Sequence, residues 1–452
     1  IKAATKLFVL SSEFHASAGS GLLGKREGTI ASGSRQSRGR PFKAIVVVFM
    51  HGGCDSYNVL VPHSKCGAHD LYKEYQEVRG VVHIAKEELL LIDVLPGEQP
   101  CDTFGVNPAL PIVQERYNAG DAAFVANIGA LVEPVTKVEY QAKSKRLPPS
   151  LFSHNDQQRT AQNVYAQTQE ATGILGRLVE AAATQLNGYS TEAYSVDGNT
   201  IALDGSSTTP PYQIDRVRGV ETFHQFGRLE SDIRQLFGNH SASVFGEIAS
   251  EALLGTFQKT EELSQRLNGM STVTEFGDST IEQQLQKTAA SIIAARDAGV
   301  ERAVFFVRKG GFDAHNDPQD TQDALTTVNS ALDSFIKEMQ AKGSWNDVAV
   351  LTSSDFGRTL TSNGQGTDHA WGGNHVLLGG LVRGGKIFGK FPASLATDSE
   401  LNIGRGRLIP TTPWEGVWMG LAQWFGIEAD QMTKVLPNLK RFDGTMNFPA
   451  NV

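Results

Sequence analysis

Residues 43–58 read "KAIVVVFMHGGCDSYN". The first eight form a continuous apolar run rich in β-branched residues, the pattern of a strand covered on both faces rather than one. The run stops at His51, and two glycines then permit a tight turn. Cys54, Asp55 and Asn58 follow at once. In an open parallel sheet, ligands bind beyond the carboxyl ends of the strands. A turn of this composition in that position therefore raises the question of a site.

Other segments repeat the pattern. "DAAFVANIG", "RAVFFVRKGG", "DVAVLTSS" and "HVLLGGLVRGG" read as further buried strands. "PALPIVQERYNAG" has Pro near its start and Gly at its end, as a short helix does. "TIEQQLQKTAASIIAARDAG", "QDTQDALTTVNSALDSFIKEMQAKG" and "TPWEGVWMGLAQWFG" are helical in spacing. Strands alternating with helices predict an α/β fold with a mostly parallel central sheet. Residues 1–43, rich in Ser, Gly and Arg, read as an arm or linker, and 44–447 as one domain. A helix-rich insertion is expected over about 156–300.

The 452-residue chain carries a net charge of -8, which argues against a general nucleic-acid binder. No run approaches the roughly 18 apolar residues of a membrane span. Of three cysteines, Cys54 reads as a small packed residue. Cys66 and Cys101 lie in loop-like sequence and pair in an exported protein, or stay reduced otherwise.

Three predicted strands deliver Asp55, Asp355 and the Asp313/His315 pair to one edge. "LFSHNDQQ", "GGFDAHND" and "GTDHAWGGNH", together with His51, hold five of the eleven histidines. Nitrogen and oxygen ligands converging from separate loops are what a divalent metal requires. In an extended segment, Asp313 and His315 fall on one face. His369 follows Asp368, a carboxylate able to orient its ring. "FMHGG" suggests a serine-esterase oxyanion turn, but the chain has no Gly-X-Ser-X-Gly elbow. "DFG" lacks the other kinase motifs.

The order "HGGCDSYNVLVPH", "FGVNPALPIV", "LFSHNDQQ", "GGFDAHND", "SSDFGRTLTSNGQGTDHAWGGNHVLLGG" and "GRGRLIPTTPWEGVW" resembles the DUF1501 family over about residues 42–445. That family is grouped with the alkaline phosphatase/sulfatase superfamily. The resemblance implies a three-layer α/β/α sandwich and a metal-assisted hydrolase of phosphate or sulfate esters. It implies Ser153 as nucleophile beside His154. It implies Asp55, Asp313, His315, Asp355 and His369 as ligands of a divalent metal. Zinc is favoured by the histidines, with Mg2+ or Ca2+ possible where carboxylates dominate. Arg358 either holds the anionic group or pairs with a carboxylate. The implied substrate is an anionic small molecule, a polysaccharide or a phosphoester. The family is often exported, and the chain begins with Ile rather than Met. The expectation is therefore a secreted, luminal or extracellular protein with a Cys66–Cys101 disulfide.

Two departures stand out. Phe356 follows Asp355 where the superfamily often has Asp-His, and Asp313-X-His315 is shorter than the usual Asp-X-X-X-His. One well-held ion is expected, with at most one weak one. The alternative reading is a non-catalytic binding or structural protein on a degenerate scaffold.

Overall fold

A computed structural model describes residues 36–442, apart from 169–170, 207–210, 221, 223–225 and 238–243. Most of the predicted arm lies outside the described residues. Its last stretch is anchored: the Arg40 guanidinium pairs with Glu301 at 2.7 Å and lies 3.7 Å from the Tyr189 ring centroid.

The central sheet is mixed and mostly parallel. Its strands are β1 (Lys43–Met50), β5 (Ala122–Gly129), β6 (Thr191–Ser195), β7 (Tyr212–Gln213), β8 (Arg302–Lys309), β9 (Val348–Ser354), β12 (Gly373–Leu378), β13 (Lys386–Gly389) and β14 (Thr412–Pro413). The order is β13-β5-β12-β9-β1-β8-β6-β7, with β14 also on β5. β1 lies between β8 and β9, parallel to both. β12 runs antiparallel to β5 and β9.

Alternation along β1 explains its unbroken apolar run. Ala44, Val46, Val48 and Met50 face one core, which also holds Leu71, Val113, Ile292 and Leu325 from four covering helices. Ile45, Val47 and Phe49 face a second core, filled by Leu175, Leu178, Trp418 and Leu421 from helices on the opposite side. Two apolar faces require two covering layers, so the architecture is a three-layer α/β/α sandwich.

The chain also marks its helix ends chemically. Ser279 and Glu282 form a capping box for Thr280–Asp297. Gly120 and Gly426 close Pro111–Ala119 and Trp414–Phe425 in the left-handed conformation. The segment 156–300 is mostly helical, yet it also contributes β6 and β7 to the central sheet. It is thus woven into the main fold.

A small antiparallel sheet comprises β2 (Leu60–Cys66), β3 (Leu90–Asp93) and β4 (Cys101–Val106). Cys66 and Cys101 occupy strand ends rather than loops, directly opposite in the β2–β4 register, and form the disulfide. Cys54 is free and buried. The bridge closes a separation of 35 residues, which in the chain-entropy account contributes about 4 kcal/mol. Replacing Cys66 and Cys101 together by serine is expected to lower stability by that order in urea titration. Non-reduced digests should show the linked peptides, and three alkylatable thiols would reject the bond. Among the described residues, no helix is long and apolar enough to cross a membrane.

Candidate metal centre

The carboxyl ends of β1, β8 and β9 meet at one place, as the sequence predicts. β1 ends at Met50, and the two glycines after His51 have φ of 118° and 82°. A Cβ on Gly52 would lie 2.6 Å from the Asp313 backbone nitrogen, and one on Gly53 would lie 2.4 Å from the Phe356 ring. The turn therefore needs both its left-handed geometry and its lack of side chains to pack against the other two strand ends. The Gly52 N–H donates to Asp355 Oδ1 at 3.1 Å, joining β1 to β9 across the turn.

Three histidines converge there on one carboxylate. His154 opens the helix His154–Asn163, His315 lies in the loop after β8, and His369 ends β11 (Thr367–His369). The Nε2 atoms of His154 and His315 lie 3.0 and 2.9 Å from His369 Nε2. Asp313 Oδ1 is 3.3, 3.1 and 3.5 Å from Nε2 of His154, His315 and His369.

The opposite ring nitrogens fix the tautomers. His154 Nδ1 meets Asp355 Oδ2 at 2.7 Å. His315 Nδ1 meets Asp368 Oδ1 at 3.2 Å. His369 Nδ1 meets the Phe152 carbonyl at 2.7 Å. Carboxylates and carbonyls only accept, so each Nδ1 carries a proton, and in the neutral form each ring turns its Nε2 lone pair inward. Phe152 reaches this position with φ of 75°, a conformation unusual for a residue with a side chain. The resulting carbonyl direction holds His369.

Inward-facing imidazole lone pairs beside a carboxylate oxygen repel unless a cation sits between them. Tetrahedral zinc with bonds of about 2.0–2.1 Å would separate its donors by roughly 3.3 Å, close to the 3.0–3.5 Å among His154 Nε2, His369 Nε2 and Asp313 Oδ1; His315 Nε2, 2.9 Å from His369 and 3.1 Å from Asp313, flanks that three-donor group. The donor set thus fits a divalent ion, and its nitrogen content fits zinc. The local electrostatics differ from group to group. The Asp355 hydrogen bond raises the His154 pKa against burial, while burial lowers that of His369. Burial works against ionisation of Asp313, but Arg358 and the neighbouring histidines hold its carboxyl below the usual range.

The expected ligands divide into two groups. Asp313 and His369 lie together with His154, and His315 flanks them. Asp355 stands behind His154, accepting from its ring, from Gly52 and from Gln158 Nε2. Asp55 is engaged elsewhere: its carboxylate pairs with fully buried Arg79, whose Nη1 also donates to the Thr359 carbonyl. That ion pair ties the β1 turn to β10 (Arg358–Ser362). Arg79 lies 24 residues from Asp55, so the pairing has no local sequence signal.

His154 belongs with the donors, a place its sequence position beside Ser153 did not suggest. Ser153 is the N-cap of the following helix, and its hydroxyl makes no capping hydrogen bond. Arg358 is fully buried and carboxylate-paired: Nη1 donates to Asp313 Oδ1 at 2.6 Å and to the Gly52 carbonyl at 3.2 Å, and Nε donates to Thr367 Oγ1 at 3.3 Å. It therefore positions Asp313 and is not available to grip an anion in solvent. Asp368 orients His315 rather than its neighbour His369, because adjacent strand residues point to opposite faces. Phe356 sets its ring, tilted, 4.8 Å from those of both His154 and His369, closing that flank with an apolar surface.

Beside the cluster opens a cavity of about 650 Å³, walled by His154 and Asp313 together with His51, Asn155, Gln158 and Lys309.

Several solved structures are similar to this chain. The lipoteichoic acid synthase LtaP of Listeria monocytogenes is 10% identical with a TM-score of 0.31, covering 89% of this chain and 80% of its own. The C-terminal periplasmic domain of EptC from Escherichia coli, in complex with Zn, is 9% identical with a TM-score of 0.32, covering 77% and 76%. An alkaline phosphatase superfamily protein of Vibrio parahaemolyticus is 9% identical with a TM-score of 0.30, covering 85% and 72%. The α/β fold itself rests on this chain's own sheet order and covering layers. No curated protein matches the sequence. The family model described as "Protein of unknown function (DUF1501)" matches residues 42–403, and the chain belongs to that family.

Proposed function

We propose that this protein is a metal-dependent hydrolase of phosphate or sulfate esters, with zinc as the favoured ion. The observation that carries the reading is the convergence of the oriented Nε2 atoms of His154 and His369 with Asp313 Oδ1, flanked by His315, beside a cavity of substrate size. His154, His315, His369 and Asp313 would hold the ion. Once bound, it supplies Lewis acidity toward an ester oxygen and offsets charge that develops there.

The chain's own groups have separate tasks. Asp355, Asp368 and the Phe152 carbonyl keep the rings in their tautomers. Arg358 holds Asp313 in place. Ser153, at the positive end of a ten-residue helix, is the nucleophile this reading assigns. Phe356 leaves one flank without a donor, which favours one ion over two. Export to a secreted, luminal or extracellular space is part of the same proposal, consistent with the disulfide.

Zinc titration of the metal-stripped protein, followed by assays on aryl phosphates and aryl sulfates, tests the reading. Tight zinc binding with turnover supports it. Tight zinc binding without turnover of either ester favours the non-catalytic binding protein, and no zinc binding removes both. Asp368→Ala frees the His315 ring without deleting a donor, so zinc affinity is expected to fall by about tenfold to a hundredfold. Unchanged affinity by calorimetry would show that this carboxylate does not act on the centre.

A further inference from the structure

A second cavity, of about 620 Å³, lies along the same edge of the sheet. It begins beyond β6 and β7. Tyr212, Gln213 and Arg216 form one wall, and Thr256, Lys259 and Thr260 of the helix Val244–Leu267 form the other. The Arg308–Asp197 ion pair, at 2.6 Å, stands between the two cavities. Asp197 lines the second cavity, while Lys309, next in sequence to Arg308, lines the first. The strand order β9-β1-β8-β6-β7 sets the span between them. With strands about 4.8 Å apart, the second cavity begins roughly 10–15 Å from the histidine cluster.

The cavity is lined by two acids, Asp197 and Asp215, and two bases, Arg216 and Lys259. Its acids are committed: Asp197 to Arg308 and Gln284, and Asp215 to the backbone N–H groups of Val217 and Arg218. Nearby Glu192 is held by Arg266 at 2.9 Å. The half-buried Lys259 ammonium lies 5.5 Å from the Tyr212 ring centroid; Glu192 and Glu262 act on it through space, and it forms no direct ion pair among the described residues. Arg216 stands exposed at the mouth. A poorly solvated ammonium facing a cavity gains from a tetrahedral anion. The surrounding amides and hydroxyls suit a chain of alcohol groups.

We infer that this cavity is a distal anion subsite, and that the substrate is an extended glycan carrying repeated sulfate or phosphate esters. One ester would lie at the histidine cluster and another at Lys259. The substrate part of the inference rests on the hydrolase reading; the anion subsite does not.

The test uses the zinc-loaded full chain with dextran sulfate, neutral dextran of equal length and long-chain polyphosphate as probes. Binding is followed by calorimetry, alongside turnover of a small aryl sulfate and aryl phosphate. Dextran sulfate or polyphosphate should bind and neutral dextran should not. Lys259→Ala should weaken that binding by about tenfold, the loss expected for one charge-assisted contact, and Lys259→Arg should restore it. Turnover of the aryl esters should keep its kcat and KM. Lys259-dependent polyanion binding without aryl ester turnover would uphold the subsite while overturning the hydrolase reading. Two outcomes overturn the subsite: unchanged polyanion binding in Lys259→Ala, or an equal loss in Lys337→Ala, at an exposed lysine on the helix Pro318–Ala341.

Discussion

His369→Ala is expected to weaken zinc binding by more than about a hundredfold, beyond the range seen when an outer partner of a ligand is lost. His369 Nε2 is the hub of the cluster, within 3.0 Å of both other imidazoles. Its removal leaves one nitrogen and one oxygen of the His154, Asp313 and His369 group, a set that binds divalent ions poorly. The effect on stability depends on the ion. With zinc present, the wild type gains stability by mass action and the variant does not. After chelation the order should narrow or reverse, because the alanine removes one of the mutually repelling lone pairs. Thermal unfolding of both proteins, with zinc and with chelator, reads this crossing directly. A wild type whose midpoint ignores zinc and chelator alike would sink the metal-centre proposal.

Glu415→Gln is expected to stabilise the protein in alkaline solution and to leave it nearly unchanged in acid. Glu415 lies in the first turn of the helix Trp414–Phe425, 1% exposed, and its Oε1 has no hydrogen-bond partner. Burial pushes its carboxyl up to about 8, against the opposing pull of its own backbone N–H, Asn438 and Arg177. Arg177 gives incomplete relief, since its donors go to the carbonyls of Val435, Asn163 and Thr172. The folded value lies above the ordinary 4.5, so folding takes up a proton between the two. The contribution is complete below about 4.5 and is lost as pH rises through about 8. At most this amounts to about 5 kcal/mol. Glutamine keeps the shape and never ionises, so the difference between the two proteins should grow from pH 5 to pH 9 in urea titrations. Parallel stability curves over that range would reject the buried neutral carboxyl.

The location of the site was legible before its wiring was. Unbroken apolar runs announce strands buried on both faces, and β1, β8 and β9 carry such runs. Acids and imidazoles just beyond those runs had to gather at one sheet edge. The sequence could not say which donors face inward. His154 and Asp355 are 201 residues apart, and the inward role fell to the imidazole because the carboxylate is drawn back by Gly52 and Gln158. Asp55 looked equivalent to Asp313, each following an apolar run and a Gly-Gly pair. Arg79 captured one and Arg358 the other, on opposite outcomes for the site.

By itself, then, the sequence determined the α/β class, the parallel core strands, the edge where chemistry collects and the family. Each follows from short-range periodicity or from motifs whose order survives along the chain. The tertiary structure alone decided the split between the inward-facing side chains and the groups that orient them, the strand-end setting of the disulfide, and the weaving of 156–300 into the sheet. These depend on where side chains separated by tens to hundreds of residues point once two cores have packed. Packing directions of that kind leave no periodic trace in the chain.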